Sequence, residues 1–286
     1  MHLGWLVREE RVVAVKRLHP LHIADEAGIA RVRAEASLAM RVDHPNVVAT
    51  IGVVRHPGEL LAAMEYVPGA SLAEIRSAVP GGLDPRIACA IAAGALRGLQ
   101  AAHEARASVT LRVASPLSSS RVIVGEDGWA RVIHFDVPNA TSAAGIVDDL
   151  PYASPEQLVR GHIDVRRDVY AASVVLWETL TGRPLFHAAT VDGMLRKILT
   201  DAVPAPSRFA PGISPELDAI AMRGLARDPE KRFASAEAMA SALEHTSCAT
   251  PAEVARALAA MDLACVPRRR ALADAVLWRE KGMHYQ

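Results

Sequence analysis

Residues 165–181, which include Asp168-Val169-Tyr170-Ala171-Ala172-Ser173-Val174-Val175-Leu176-Trp177-Glu178-Thr179-Leu180, are apolar almost all round and are stopped by Gly182. A helix with no polar face must be enclosed by other elements on every side. A glycine just past its last turn supplies the left-handed residue that ends it. The run falls short of the roughly 18 residues of a membrane span, so it predicts the buried axis of a helical layer. At 286 residues, 51% apolar and 22% charged, the chain has enough material to surround such a helix, as one two-lobed domain or two small ones.

The pattern changes near residue 67. Before it, residues 3–7, 12–16 and 60–66 read as strands and 30–42 as a helix. After Pro68-Gly69, helices with start signals take over. Ser71 and Glu74 form a capping box. Asp84-Pro85 opens a helix that carries Ile87, Ile91, Ala95 and Leu99 on one face. Residues 121–124 and 129–133 flank Gly125-Glu126-Asp127-Gly128, the turn of a two-stranded ribbon. Ser214-Pro215 and Ser235 mark further helices, and Thr250-Pro251-Ala252-Glu253 opens one that runs to about residue 263. The expected division is 1–67, a small β-rich lobe; 68–246, a larger helical lobe; and 247–286, a helical appendix. The cluster Arg268-Arg269-Arg270 in that appendix reads as a solvated basic patch.

Thirty-two basic residues balance thirty-two acidic ones, so no global field favours nucleic acid or an anionic membrane. Met1-His2-Leu3-Gly4-Trp5 lacks a basic stretch leading into an apolar one, and cytoplasmic residence is the expectation. Cys89, Cys248 and Cys265 are too scattered for a metal site or a disulfide scaffold, and Cys89, among Ile87, Ala88 and Ile91, reads as a small buried side chain.

Several short motifs occur in one order. Val13-Ala14-Val15-Lys16 lies on a strand, Glu35 on the next helix, then His44-Pro45-Asn46-Val47-Val48 and Met64-Glu65-Tyr66-Val67. Tyr152-Ala153-Ser154-Pro155-Glu156, Asp168-Val169-Tyr170 and Arg227-Asp228-Pro229-Glu230-Lys231-Arg232-Phe233 follow. In this order they resemble the eukaryotic-type Ser/Thr protein kinase family, in its bacterial, myxobacterial-like form, over about residues 3–243. The resemblance implies an α+β, two-lobed kinase-like fold whose small lobe is truncated at its start. It implies that a nucleotide, if one binds, meets Ala14, Lys16, Glu35, Met64, Glu65 and Val67. It also implies structural roles for Asp168 and for Glu156 paired with Arg232.

The chain departs from that family at the reacting centre. An ungapped count places Ala114-Ser115-Pro116 where the family has His-Arg-Asp, so Pro116 replaces the catalytic base; a gapped count places Leu111-Arg112-Val113 there, also without an acid. Arg121 stands in place of the metal-binding asparagine, and could instead meet a nucleotide phosphate. His134-Phe135-Asp136 stands in place of Asp-Phe-Gly. Imidazole is a poor ligand for Mg²⁺, and no glycine-rich phosphate loop precedes Lys16. No catalytic residue and no metal ligand is therefore assigned. Tyr152, Thr141 and Ser142, in the activation-segment region, are open to phosphorylation by a partner kinase but read rather as ordinary loop residues.

The expected function is a catalytically impaired kinase-like domain (a pseudokinase) that serves as a scaffold or allosteric regulator for a protein partner, such as an active kinase or another signalling protein. No cofactor is expected; ATP stays open as a ligand and Mg²⁺ is not anticipated. The alternatives are an atypical active Ser/Thr kinase using ATP and a nucleotide sensor that needs no metal.

Overall fold

The computed structural model describes residues 2–18, 26–56, 59–106, 116–133, 149–159 and 161–261, together with positions 263, 266, 269, 271–273 and 276 of the segment beyond. Ala114, Ser115, His134, Phe135, Asp136, Thr141, Ser142, Cys265, Arg268 and Arg270 lie outside the described residues, as do residues 111–113.

The small lobe begins with β1 (His2–Leu6), which returns through a 3₁₀ turn at Val7–Glu9 into β2 (Arg11–Arg17). After α1 (Glu26–Ala39) come β3 (Thr50–His56) and β4 (Glu59–Glu65). The four strands make an antiparallel sheet of order β1-β2-β4-β3, with Ala14 opposite Met64 and Lys16 opposite Ala62. Val32, Ala36 and Ala39 of α1 pack on Leu60 and Ala62, which closes a small core of its own. Strand β3 is an addition to the elements expected from the sequence. Gly52 sits inside it, where the register also shifts, and an interior glycine weakens the strand signal.

The large lobe opens with β5 (Gly69–Ser71), α2 (Leu72–Ala78) and α3 (Pro85–Arg106), followed by the ribbon β6 (Val122–Gly125) and β7 (Ala130–Val132). Strand β5 pairs with β6, so a three-stranded sheet lies against the helices. Then come α4 (Pro155–Leu158), α5 (Arg166–Thr181), α6 (Val191–Thr200), α7 (Pro215–Gly224), α8 (Ala236–Glu244) and α9 (Pro251–Ala259). The capping boxes at Ser71/Glu74 and Thr250/Glu253 both form. Helix α6 is a second addition; its buried residues are Met194 and Ile198 alone, with Leu195 packed beside them, and that is too short an apolar stripe to mark a helix.

Helix α5 is buried from Arg167 through Thr181 and ends at Gly182, whose φ of 68° is the left-handed conformation a side chain would resist. Ile91 and Leu96 of α3 join Val169, Leu176 and Leu180 of α5 and Met239 and Leu243 of α8 in one continuous core.

The two lobes meet through the segment after α1. Val47 bridges Val132 in parallel, Val48 N–H donates to the Val132 carbonyl (2.9 Å), and Val132 N–H donates to the Asn46 carbonyl (2.8 Å). The buried Asn46 amide also donates to the Ala130 carbonyl (2.8 Å). Helix α3 reaches this segment only because residue 98 is glycine, since a Cβ there would stand 2.2 Å from the Asn46 carbonyl oxygen.

Candidate functional site

A cleft of about 870 Å³ lies between the lobes. Leu3, Ala14, Val48 and Met64 form its upper wall, the connector Glu65-Tyr66-Val67 its back, and Ser120, Ile123 and Ile133 its floor. Ala14 is buried on β2, and Met64, almost completely buried, faces it across the strand pair. The proposed nucleotide-contacting residues Ala14, Met64, Glu65 and Val67 therefore share one surface. Lys16 lies two residues beyond Ala14, on the same face of β2 by strand alternation, and Glu35 is half-buried on α1; neither is among the residues that line the cleft.

Below the floor, Arg121 is engaged within the chain. Its Nη1 donates to the Pro116 carbonyl (3.0 Å) and its Nη2 to both carboxylate oxygens of Asp149 (2.9 and 3.2 Å). The side chains of Arg121 and Asp149 are 15% and 23% exposed, so the pair is largely shielded from water. The guanidinium that could meet a nucleotide phosphate thus pairs with an anion of its own chain. Arg121 also accepts from Ile133 N–H (2.8 Å) through its own carbonyl, so it engages both Ile133 and Asp149.

Beside it lies a polar knot that the sequence does not announce. Glu178, 1% exposed inside α5, accepts hydrogen bonds from Arg76 and from Tyr152 OH (3.0 Å), and Ser119 Oγ lies 2.8 Å from the same tyrosine oxygen. Burial pushes the Glu178 carboxyl up from its usual value, and the Arg76 charge offsets only part of that. Burial likewise raises the Tyr152 hydroxyl, with the nearby Glu178 charge adding to it. Tyr152, which reads from the sequence as an ordinary loop residue, is instead a hydrogen-bonded member of this group.

The structural residues fall into two further sets. Arg232 donates through Nη1 and Nη2 to the two oxygens of Glu156 (2.8 and 2.7 Å) and also to the carbonyls of Ala226, Arg166 and Arg227. Burial alone would raise the Glu156 carboxyl, but the hydrogen bonds and charge of Arg232 outweigh it and hold it below the usual carboxylate range. Asp168, at the start of α5, lies 2.8 Å from His103 Nε2 and 3.4 Å from Arg167 Nε.

Two further features add to the sequence reading, and Cys89 is buried as expected. Cys89 and Cys248, far apart in the chain, both direct their thiols at the Leu243 carbonyl (3.3 Å each). Arg269, whose side chain stays 39% exposed, also pairs through its guanidinium with Glu74 (2.6 Å), and with Leu272 and Val276 it lines the open side of the cleft. Neither was readable from the sequence, because each depends on partners brought together only by the tertiary fold.

No group of three or more His, Cys, Asp or Glu side chains arranged to hold a metal ion occurs among the described residues. No helix among them is long and apolar enough to cross a membrane.

Comparison with known proteins follows the same lines. A sequence profile described as "Protein kinase domain" matches residues 4–245. Serine/threonine-protein kinase PknB of Mycobacterium leprae is 33% identical over 276 residues, covering 93% of this chain and 44% of that protein. The probable serine/threonine-protein kinase SCO3848 of Streptomyces coelicolor is 30% identical over 263 residues, 88% of this chain and 38% of its own length. The chain thus spans less than half of these relatives. A crystal structure of the Mycobacterium tuberculosis PknI kinase domain superposes with a TM-score of 0.64 at 23% identity, covering 82% of this chain and 84% of that one. The antiparallel small lobe, the helical large lobe and the cleft between them are those of a two-lobed kinase fold, and the chain belongs to the protein kinase domain family.

Proposed function

We propose that this kinase domain is catalytically impaired and works by binding, as a scaffold or allosteric regulator for a protein partner in signalling. One observation carries the reading: at the position where an ungapped count expects the metal-binding asparagine, Arg121 places a guanidinium already neutralised by Asp149. Kinase chemistry holds Mg²⁺ between an aspartate and an asparagine so that the ion can take up charge developing on the transferred phosphoryl group. A fixed cation in that place does not fit a second cation, so the residues present do not suit Mg²⁺. Pro116 offers no proton acceptor, and loss of a positioned base alone costs about 10²- to 10⁴-fold. His134 in place of the metal-binding aspartate agrees with this.

The cleft favours a second reading, in which a nucleotide binds without turnover. Its walls are mostly apolar, and the backbone of Glu65 to Val67 borders it as a purine would require.

The decisive assay is transfer of labelled γ-phosphate from ATP, with Mg²⁺ or Mn²⁺, to the chain itself and to generic Ser/Thr substrates. The expected signal equals that of Lys16→Ala. Transfer by the parent chain that disappears in Lys16→Ala would overturn the proposal.

A further inference from the structure

Three described residues of the chain's C-terminal segment line the open side of the cleft. Its described positions 266, 269, 271–273 and 276 are helical. At 100° per residue, 266 and 273 fall on one line of that helix, while 269, 272 and 276 fall on the adjoining face. The first line is the seat: Val266 packs on the large-lobe core and Ala273 is 6% exposed. Leu263, 7% exposed, fixes the start of the segment in the same core. The second face carries Arg269, Leu272 and Val276, all of which line the cleft.

Arg269 is the link to the connector between the lobes. Its Nη2 lies 2.6 Å from Glu74 Oε1, and its Nη1 lies 3.4 Å from the Gly69 carbonyl, at the start of β5. Glu74 is itself committed through Oε2 to the Ser71 cap of α2, and Ser71 is another residue of the cleft. The latch is therefore pinned to the same strand and helix start that form the cleft's rim. Leu272, although 52% exposed, offers its apolar surface to the cleft opening.

We propose that the segment carrying Arg269, Leu272 and Val276 is an intramolecular latch that competes with ligands for the interlobe cleft. The inference deepens the preceding reading at the same site and rests on it only in taking the cleft as the place where a ligand binds. Occupancy and latch release are then linked: a ligand that needs the open cleft binds with an affinity reduced by the open fraction, and its binding promotes release to the same degree.

The test uses the full chain and two variants, Arg269→Glu, which opposes Glu74, and Leu272→Glu, which alters an exposed side chain and leaves the core intact. Hydrogen exchange reports the seating of the segment, and mant-ADP without metal is the fluorescent probe of the cleft. In both variants the segment's amides should exchange faster, and mant-ADP should bind about fivefold tighter. Saturating mant-ADP should speed exchange in the parent. Three results would each overturn the latch: exchange in the parent as fast as in the variants, faster exchange with unchanged affinity, or no binding to any of the three chains. Phosphate transfer by the parent would overturn the preceding reading and leave this one standing.

Discussion

Arg232 holds Glu156 through two parallel hydrogen bonds, 2.8 and 2.7 Å long, with the arginine side chain wholly buried and the glutamate 9% exposed. The two partners stand 76 positions apart in the chain with all of α5 between them, so this pair fastens α4 to the turn after α7. Arg232→Ala strands a buried carboxylate and should cost about 3–5 kcal/mol in chemical denaturation. Because the folded-state pKa of Glu156 lies below its unfolded value, the pair's contribution is fully present above the usual carboxylate range. It is lost as pH falls through the folded value. Glu156→Gln should flatten that acid limb of the stability profile; an unchanged limb would refute the assignment.

Glu178 behaves in the opposite sense. Its folded pKa is raised by burial, so the associated stability is greatest below the unfolded value and falls as pH rises through the folded one. Arg76→Ala removes the charge that compensates Glu178 and should widen the gap from the parent as pH goes from acid to neutral. Urea melts at three pH values measure it.

Gly98→Ala should disturb the junction between the lobes. The added methyl meets the Asn46 carbonyl at 2.2 Å, and overpacking of this kind costs about 1–3 kcal/mol. Accelerated hydrogen exchange at Val48 and Val132, with α6 unaffected, would localise the damage.

The two thiols at Leu243 should differ in reactivity. Cys89 is 1% exposed and its pKa is pushed up by its hydrogen bond to Cys248 and by burial; Cys248 is only partly buried, and its pKa is lowered by the same hydrogen bond. Iodoacetamide under native conditions should label Cys248 and reach Cys89 only after unfolding, as peptide mass mapping would show. Equal labelling rates would contradict the geometry.

Much of the scaffold could be read from local chemistry. Ser71 with Glu74 and Thr250 with Glu253 are caps written within four residues, and the apolar circumference of α5 announces its own burial. The Asp127-Gly128 step likewise marks the turn between β6 and β7. What escaped lacks a local signature. Strand β3 is interrupted by Gly52, and the Arg76–Glu178 pair joins residues 102 positions apart. The family resemblance identified Ala14, Met64, Glu65 and Val67, which do share the cleft. It had no counterpart for Asp149, which engages Arg121, or for Arg269, because neither partner belongs to the motifs that carry the resemblance.

The main-chain bonds at Asn46, Val48 and Val132 and the covalent crossing at residues 66–68 are two of the places where the lobes are joined. A panel hung at two points swings about the line between them and resists sliding or twisting across it. Joints of this kind favour opening of the cleft by rotation over sliding of one lobe past the other. A ligand in the cleft and the C-terminal segment proposed to latch it would then meet at the same rotation, so that either could oppose the other without contact.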